Sequence, residues 1–167
     1  SCFSMYHISC TLNALTINVT GEDQIKWLKT ELQQAVINHQ KCFIFCHMPL
    51  YSVASKENNV LWNCEDILQL IYEYGDISTV SSSNININNS SVKNCVIAVI
   101  SGHDHDGGYS CDRYGIHHIV PCAPIECDEG EVSYGVIQVL EDGDSMYTTV
   151  NWTGKLPQNS VWPTKLL

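Results

Sequence analysis

Apolar and polar positions change rhythm along this chain. Between Thr20 and Gln40, Ile25, Leu28, Leu32, Ala35 and Val36 recur at helical spacing. Thr20, with Asp23 three residues on, predicts a capping box at the start. Just upstream, "LTINV" (15–19) alternates as a strand does. "CFIFC" (42–46) contains no polar position, which predicts a short strand buried on both faces. Pro49 prevents its regular continuation. A second helix fits "NCEDILQLIYEYG" (63–75). Asn63 is placed to cap it, and Asp66 lies near the positive end of the helix dipole. Ile67, Leu70, Ile71 and Tyr74 form its stripe, and Gly75 ends it.

The stretch 76–94, "DISTVSSSNININNSSVKN", is low in complexity and predicts a solvent-exposed insertion without chemistry. "CVIAVIS" (95–101) is a second unbroken apolar strand. "GIHHIV", "SYGVIQVL" and "SMYTTVNW" follow as strands and suggest an antiparallel meander, and the tail from Thr153 shows little pattern. Apolar strands alternating with helices early in the chain predict an α/β fold with a parallel sheet covered on both faces. With 167 residues, 44% of them apolar, residues 1–167 read as belonging to one domain with a substantial core.

Charge narrows the partners. Eight basic against 18 acidic side chains give a net charge of -10, which disfavours nucleic-acid and anionic-membrane surfaces. A phosphate substrate stays open if divalent metals bring the positive charge. No apolar run reaches the roughly 20 residues of a membrane span. The nine cysteines form no C-x-x-C and several lie in strand-like runs. They read as reduced packing residues of a cytoplasmic protein, with a disulfide framework or a Cys-based zinc site as the alternatives.

The candidate chemistry is histidine. Ligand sites of α/β sheets gather at the carboxyl ends of strands. Two such ends carry imidazoles here: His47 after "CFIFC", and His103 and His105 after "CVIAVIS". Gly102, Gly107 and Gly108 permit tight backbone paths around the second. Neutral imidazole suits Zn, Mn and Fe, and its other ring nitrogen needs an outer acceptor, for which Asp104 and Asp106 are near in sequence. Each histidine alone is also readable as a hydrogen-bonded loop residue; three at two strand ends point to metal. His117 and His118 point to opposite faces of a strand, one packed and one exposed. His7 and His39 read as surface residues. No G-x-S-x-G, P-loop or G-x-G-x-x-G occurs.

"CHMPLY" and "GHDHDGGY" resemble the C-terminal metal motifs of the calcineurin-like metallophosphoesterases. With "GEDQIKWLKTEL", "LWN", "GHDHDGGYSCDRYGIHHIV" and "PIE" included, the chain is similar, from about Thr20 to about Val139, to the manganese-dependent ADP-ribose/CDP-alcohol diphosphatase family. The resemblance implies a four-layer α/β/β/α sandwich with mixed sheets, of which this chain is the C-terminal half. It also implies a centre of two divalent ions (Mn2+, with Zn2+, Fe or Mg2+ as alternatives). His47 and His103 would hold one ion and His105 the other, and a hydroxide bridging them would attack phosphorus in line. The substrate implied is a nucleoside diphosphate-linked small molecule such as ADP-ribose or CDP-choline. Tyr109 and Tyr51 lie close to these motifs and are candidates to stack on its base, Tyr109 foremost. Asp112 and His118 match the motif with no role derivable from the sequence.

The superfamily's upstream ligand motifs of the kinds D-x-[HQ], G-D-x-x-D and G-N-H do not occur here. The missing N-terminal half of the same enzyme is therefore an expected partner, and the chain alone is expected to be inactive, with an apolar sheet edge exposed. Two other functions stay open: a phosphomonoesterase or cyclic-nucleotide phosphodiesterase of the same superfamily, and a non-catalytic phosphoesterase-like binding module.

Overall fold

The two unbroken apolar runs become neighbouring parallel strands at the centre of a mixed sheet. The computed structural model describes residues 6–9, 20–76, 94–142, 145–156 and 162–166. Its sheet runs β1 (Tyr6–Ser9), β2 (Cys42–Cys46), β3 (Val96–Ser101), β5 (His117–Val120) and β4 (Gly108–Cys111) in spatial order. The first four are mutually parallel, and β4 closes the edge antiparallel to β5. The helices α1 (Glu22–Ile37) and α2 (Cys64–Tyr74) cover one face. A two-stranded antiparallel sheet, β6 (Tyr134–Asp142) and β7 (Ser145–Thr153), lies on the other. The described residues thus make three layers, α/β/β.

Burial on both faces explains why no polar residue interrupts these strands. Along β2, Cys42, Ile44 and Cys46 pack under the helices with Leu28, Leu32, Ile67 and Ile71, while Phe43 and Phe45 pack with Val150, Trp162 and Leu166. Each fully buried Leu or Ile contributes about 1.5–3 kcal/mol relative to exposure. In β3 the alternation slips: Ile97 and Ala98 both face the second sheet. Cys42 pairs with Val96 but Phe43 pairs with Ala98, so β3 carries a β-bulge.

Several expectations are corrected here. Thr20 and Asp23 form no capping box: Gly21 is the N-cap and makes no side-chain cap bond. Instead the Thr20 N–H donates to Asn63 Oδ1 (2.9 Å), and Asn63 Nδ2 donates to Thr20 O (3.0 Å). Asn63 does occupy the N-cap position of α2, but its amide is spent on tying the two helix starts together rather than on capping. Gly75 ends α2 in right-handed geometry. What demands glycine there is space, since an added Cβ would lie 2.3 Å from Asn94 Oδ1. Asn94 Nδ2 donates to Ile71 O (2.9 Å), satisfying a carbonyl of the last helical turn.

The late strands are not one meander. β5 enters the main sheet parallel to β3, and β4, a four-residue strand too short to stand out in the sequence, is its antiparallel partner. Only β6 and β7 form a separate hairpin pair. Part of the patternless tail docks on β7: Val150 N donates to Thr164 O (3.0 Å), Leu166 N to Thr148 O (3.1 Å), and Trp152 Nε1 to Pro163 O (2.9 Å). The strand expected at 15–19 lies outside the described residues, as do residues 77–93 of the Ser/Asn stretch. The two ends of that stretch meet in a bridge between Asp76 and Asn94. Among the described residues no disulfide joins any of the seven cysteines. Among those residues no helix is long and apolar enough to cross a membrane.

Candidate metal centre

The parallel pairing of β2 and β3 decides which histidines meet. Cys46 lies opposite Ser101, so both strands end at the same level. One further hydrogen bond, Gly102 N to His47 O (3.0 Å), carries the ladder past the strand ends. His103 then turns into the left-handed region, at φ 64°, a conformation uncommon for a residue with a Cβ and one that clusters at functional sites. The result is an exposed pair of imidazoles, edge to face, with His103 Nδ1 3.2 Å from His47 Nε2.

Two nitrogens each about 2.1 Å from one divalent ion can lie this far apart, so the pair suits a shared cation. Desolvation, then the neighbouring His47 and His105, push the His103 pKa below the usual histidine value. That favours the neutral ring a cation requires.

His105 does not join this pair. Its Nδ1 lies 3.0 Å from Glu126 Oε1, in the turn Pro124–Glu126. Among the described residues no group of three or more His, Cys, Asp or Glu side chains is arranged to hold a metal. Two of the three predicted ligands therefore converge, and the third is held to one side by a carboxylate.

Asp104 and Asp106 accept no bond from these imidazoles. Asp104 is buried and accepts from Ser55 Oγ (2.8 Å) and Lys56 N (2.7 Å), latching the segment that follows His47 onto the G-H-D-H loop. Asp106 pairs with the Lys56 ammonium at the surface. Gly108 lets the same two segments touch, because a Cβ there would lie 2.3 Å from Ala54 O. Tyr109 is half-buried, with its hydroxyl 2.8 Å from His117 Nδ1 and its ring against Trp162; burial pushes its pKa up to about 12. Tyr51 stacks on His118 at 4.6 Å. A cleft of about 430 Å3 opens at the start of α2, lined by residue 58 and residues 60–66, and none of the three histidines lines it.

No protein-family model matches the chain. It is 33% identical over 129 residues to the manganese-dependent ADP-ribose/CDP-alcohol diphosphatase of Arabidopsis thaliana, covering 77% of this chain and 35% of that protein. The Homo sapiens protein of the same name is 29% identical over 122 residues, covering 73% of this chain and 30% of the relative. A crystal structure of a dimetal phosphatase from Danio rerio superposes with a TM-score of 0.61 at 24% identity, over 80% of this chain and 35% of that one. The chain carries part of a metallophosphoesterase fold. It spans about a third of the length of the curated relatives it matches.

Within this fold the D-x-x-G-x-x-H motif acquires a physical role. The Asp112 carboxylate accepts four hydrogen bonds: from Tyr72 Oη (2.9 Å), Tyr114 N (2.8 Å), Ile116 N (3.0 Å) and His118 Nε2 (3.0 Å). Burial alone would raise its pKa, but the bonds from His118, Ile116 N and Tyr72 outweigh it and hold the carboxyl below the usual range. Gly115, at φ 81°, allows the turn that presents both amides. His118 is buried, its Nδ1 without a partner, while the other member of the pair, His117, is half-buried against Tyr109 rather than exposed. This network joins α2, the β4–β5 turn, β5 and, through the Tyr51 ring, the segment after His47. Sequence reasoning missed Tyr72, Ser55 and Glu126 as neighbours of these motifs. For Glu126 a signal existed, since "PIE" was part of the resemblance.

Proposed function

We propose that this chain supplies part of a two-metal centre that hydrolyses the diphosphate bond of ADP-ribose and of CDP-alcohols such as CDP-choline, with manganese as the metal. The observation that carries the reading is the 3.2 Å approach of His47 Nε2 and His103 Nδ1 at the ends of adjacent parallel strands, in a chain whose relatives bear the diphosphatase name. His47 and His103 would hold one ion and His105 would contribute to the second. When bound, such ions supply an activated water at neutral pH and positive charge against the phosphoryl oxygens.

The chain's own part is positioning. The β2–β3 ladder fixes the separation of His47 and His103, and the Asp104 latch holds the two loops together. Water adds across the P–O–P linkage, giving AMP and ribose 5-phosphate from ADP-ribose, or CMP and phosphocholine from CDP-choline. Neutral imidazoles alone leave two divalent ions without compensating anionic ligands. The remaining ligands come from sequence outside this chain, and the chain alone is inactive.

Release of AMP and CMP with added Mn2+ tests the reading. A longer protein carrying this chain is expected to turn over both substrates and to lose activity on His103→Ala, while the 167-residue chain alone does not turn over. Failure of the Mn2+-loaded longer protein on both substrates would overturn the reading. Robust turnover by this chain alone would overturn the partial-site claim.

A further inference from the structure

Glu126 lies 21 residues from His105 in sequence, yet its carboxylate is aimed at the ring by a backbone that has little freedom there. Ala123 N donates to His105 O (3.0 Å), and Cys122 Sγ donates to Asp106 O (3.2 Å). The chain then turns through Pro124–Glu126, and Lys155 Nζ donates to Glu126 O (3.2 Å). Three contacts therefore fix the segment before the side chain makes its own, at 3.0 Å from His105 Nδ1.

The chemistry of that contact constrains the imidazole. An ionised carboxylate only accepts hydrogen bonds, so the nitrogen facing it must carry the proton. A neutral His105 with its proton on Nδ1 has its lone pair on Nε2. Carboxylate–histidine pairs of this kind orient metal ligands and raise their basicity.

We propose that Glu126 is a positioning residue of the centre: its carboxylate holds His105 as the Nδ1–H tautomer and leaves Nε2 as the metal-donating atom. This rests on the metal-centre reading above. The competing account is an exposed ion pair of no consequence, since the two side chains are 55% and 51% exposed and such pairs contribute little.

The test uses the 167-residue chain with 15N-labelled histidine. Long-range proton–nitrogen correlation spectra of the metal-free protein at neutral pH should show His105 protonated on Nδ1. Glu126→Ala should return it toward the Nε2–H form that free imidazole prefers, and Glu126→Gln, whose amide oxygen also accepts, should restore part of the effect. The contact from Lys155 is to the Glu126 carbonyl, so these variants keep the backbone tether.

Mn2+ titration, read as paramagnetic broadening of each ring's signals, supplies the second arm. Glu126→Ala should raise the concentration needed to broaden His105 roughly tenfold to a hundredfold. An Nε2–H tautomer in the unaltered chain, with broadening of His47 and His103 intact, would overturn the positioning role alone. So would a Glu126→Ala variant with unchanged tautomer and unchanged titration. If Mn2+ broadens none of the three rings while the Nδ1–H tautomer stands, the metal reading falls and the positioning role falls with it.

Discussion

Replacing Asp112 removes the acceptor on which four donors converge, and the structure sets the scale of the loss. The side chains of Asp112 and His118 are 1% and 3% exposed, and Ile116 is buried as well, so at least the His118 and Ile116 donors cannot turn to water. Asp112→Ala leaves Tyr72 Oη, His118 Nε2 and the Tyr114 and Ile116 amides facing a void. One buried unsatisfied donor costs about 1–3 kcal/mol. The four do not add, because the β4–β5 turn relaxes, and breaking a buried pair typically costs about 3–5 kcal/mol. We expect that figure, a large share of the roughly 5–15 kcal/mol that stabilises a domain.

Asp112→Asn should cost less, about 1–2 kcal/mol. Its Oδ1 still accepts from both amides, while His118 can accept from the new NH2 only by moving its proton to the partnerless Nδ1, and that one buried donor sets the cost. Guanidinium unfolding followed by tryptophan fluorescence and helical dichroism gives both values as midpoint shifts at constant slope. An Ala variant within about 1 kcal/mol of the unaltered chain would refute the reasoning, because it would mean water or a rearranged turn satisfies the donors at no cost.

Three further outcomes follow from the same contacts. Asp112 is held below its ordinary pKa, so its contribution is complete above the unfolded value of about 3.9 and is lost as pH falls through the lower folded value. Melting temperature should therefore fall more steeply with pH below about 4 in the unaltered chain than in Asp112→Asn. Gly108→Ala, whose Cβ would meet Ala54 O at 2.3 Å, should cost about 1–3 kcal/mol and loosen the Ser52–Ala54 turn in amide exchange. Asp104→Ala removes the acceptor of Lys56 N and Ser55 Oγ; exchange of the Lys56 amide should accelerate about tenfold for each 1.4 kcal/mol lost, and an unchanged rate would contradict the latch.

The central strands were legible because Cys42–Cys46 and Val96–Ile100 are apolar at every position, short, and rich in β-branched or aromatic residues. Parallel pairing then follows from the intervening helix, and the meeting of His47 with His103 follows from the pairing. The β-bulge at Ile97 and Ala98 was not legible, since one apolar residue more or less looks the same in a run of apolar residues. The start of α1 was misread for a different reason. Thr20 lies one residue before the N-cap Gly21, its backbone held by Asn63, 43 residues away, and no local pattern encodes that contact. His105 shows the same limit, because its partner Glu126 is delivered by a turn whose path depends on contacts to Asp106 and Lys155. Asp104 looked like an imidazole acceptor from sequence proximity, but a residue flanked by two outward-facing histidines points inward, and there Ser55 and Lys56 claim it.

A crystal of this chain soaked in Mn2+ and measured at the manganese absorption edge addresses the metal centre directly. The account predicts an anomalous peak between His47 Nε2 and His103 Nδ1, lost in His103→Ala. Manganese bound only at surface carboxylates, with those two rings left hydrogen-bonded to each other at saturating metal, would contradict it.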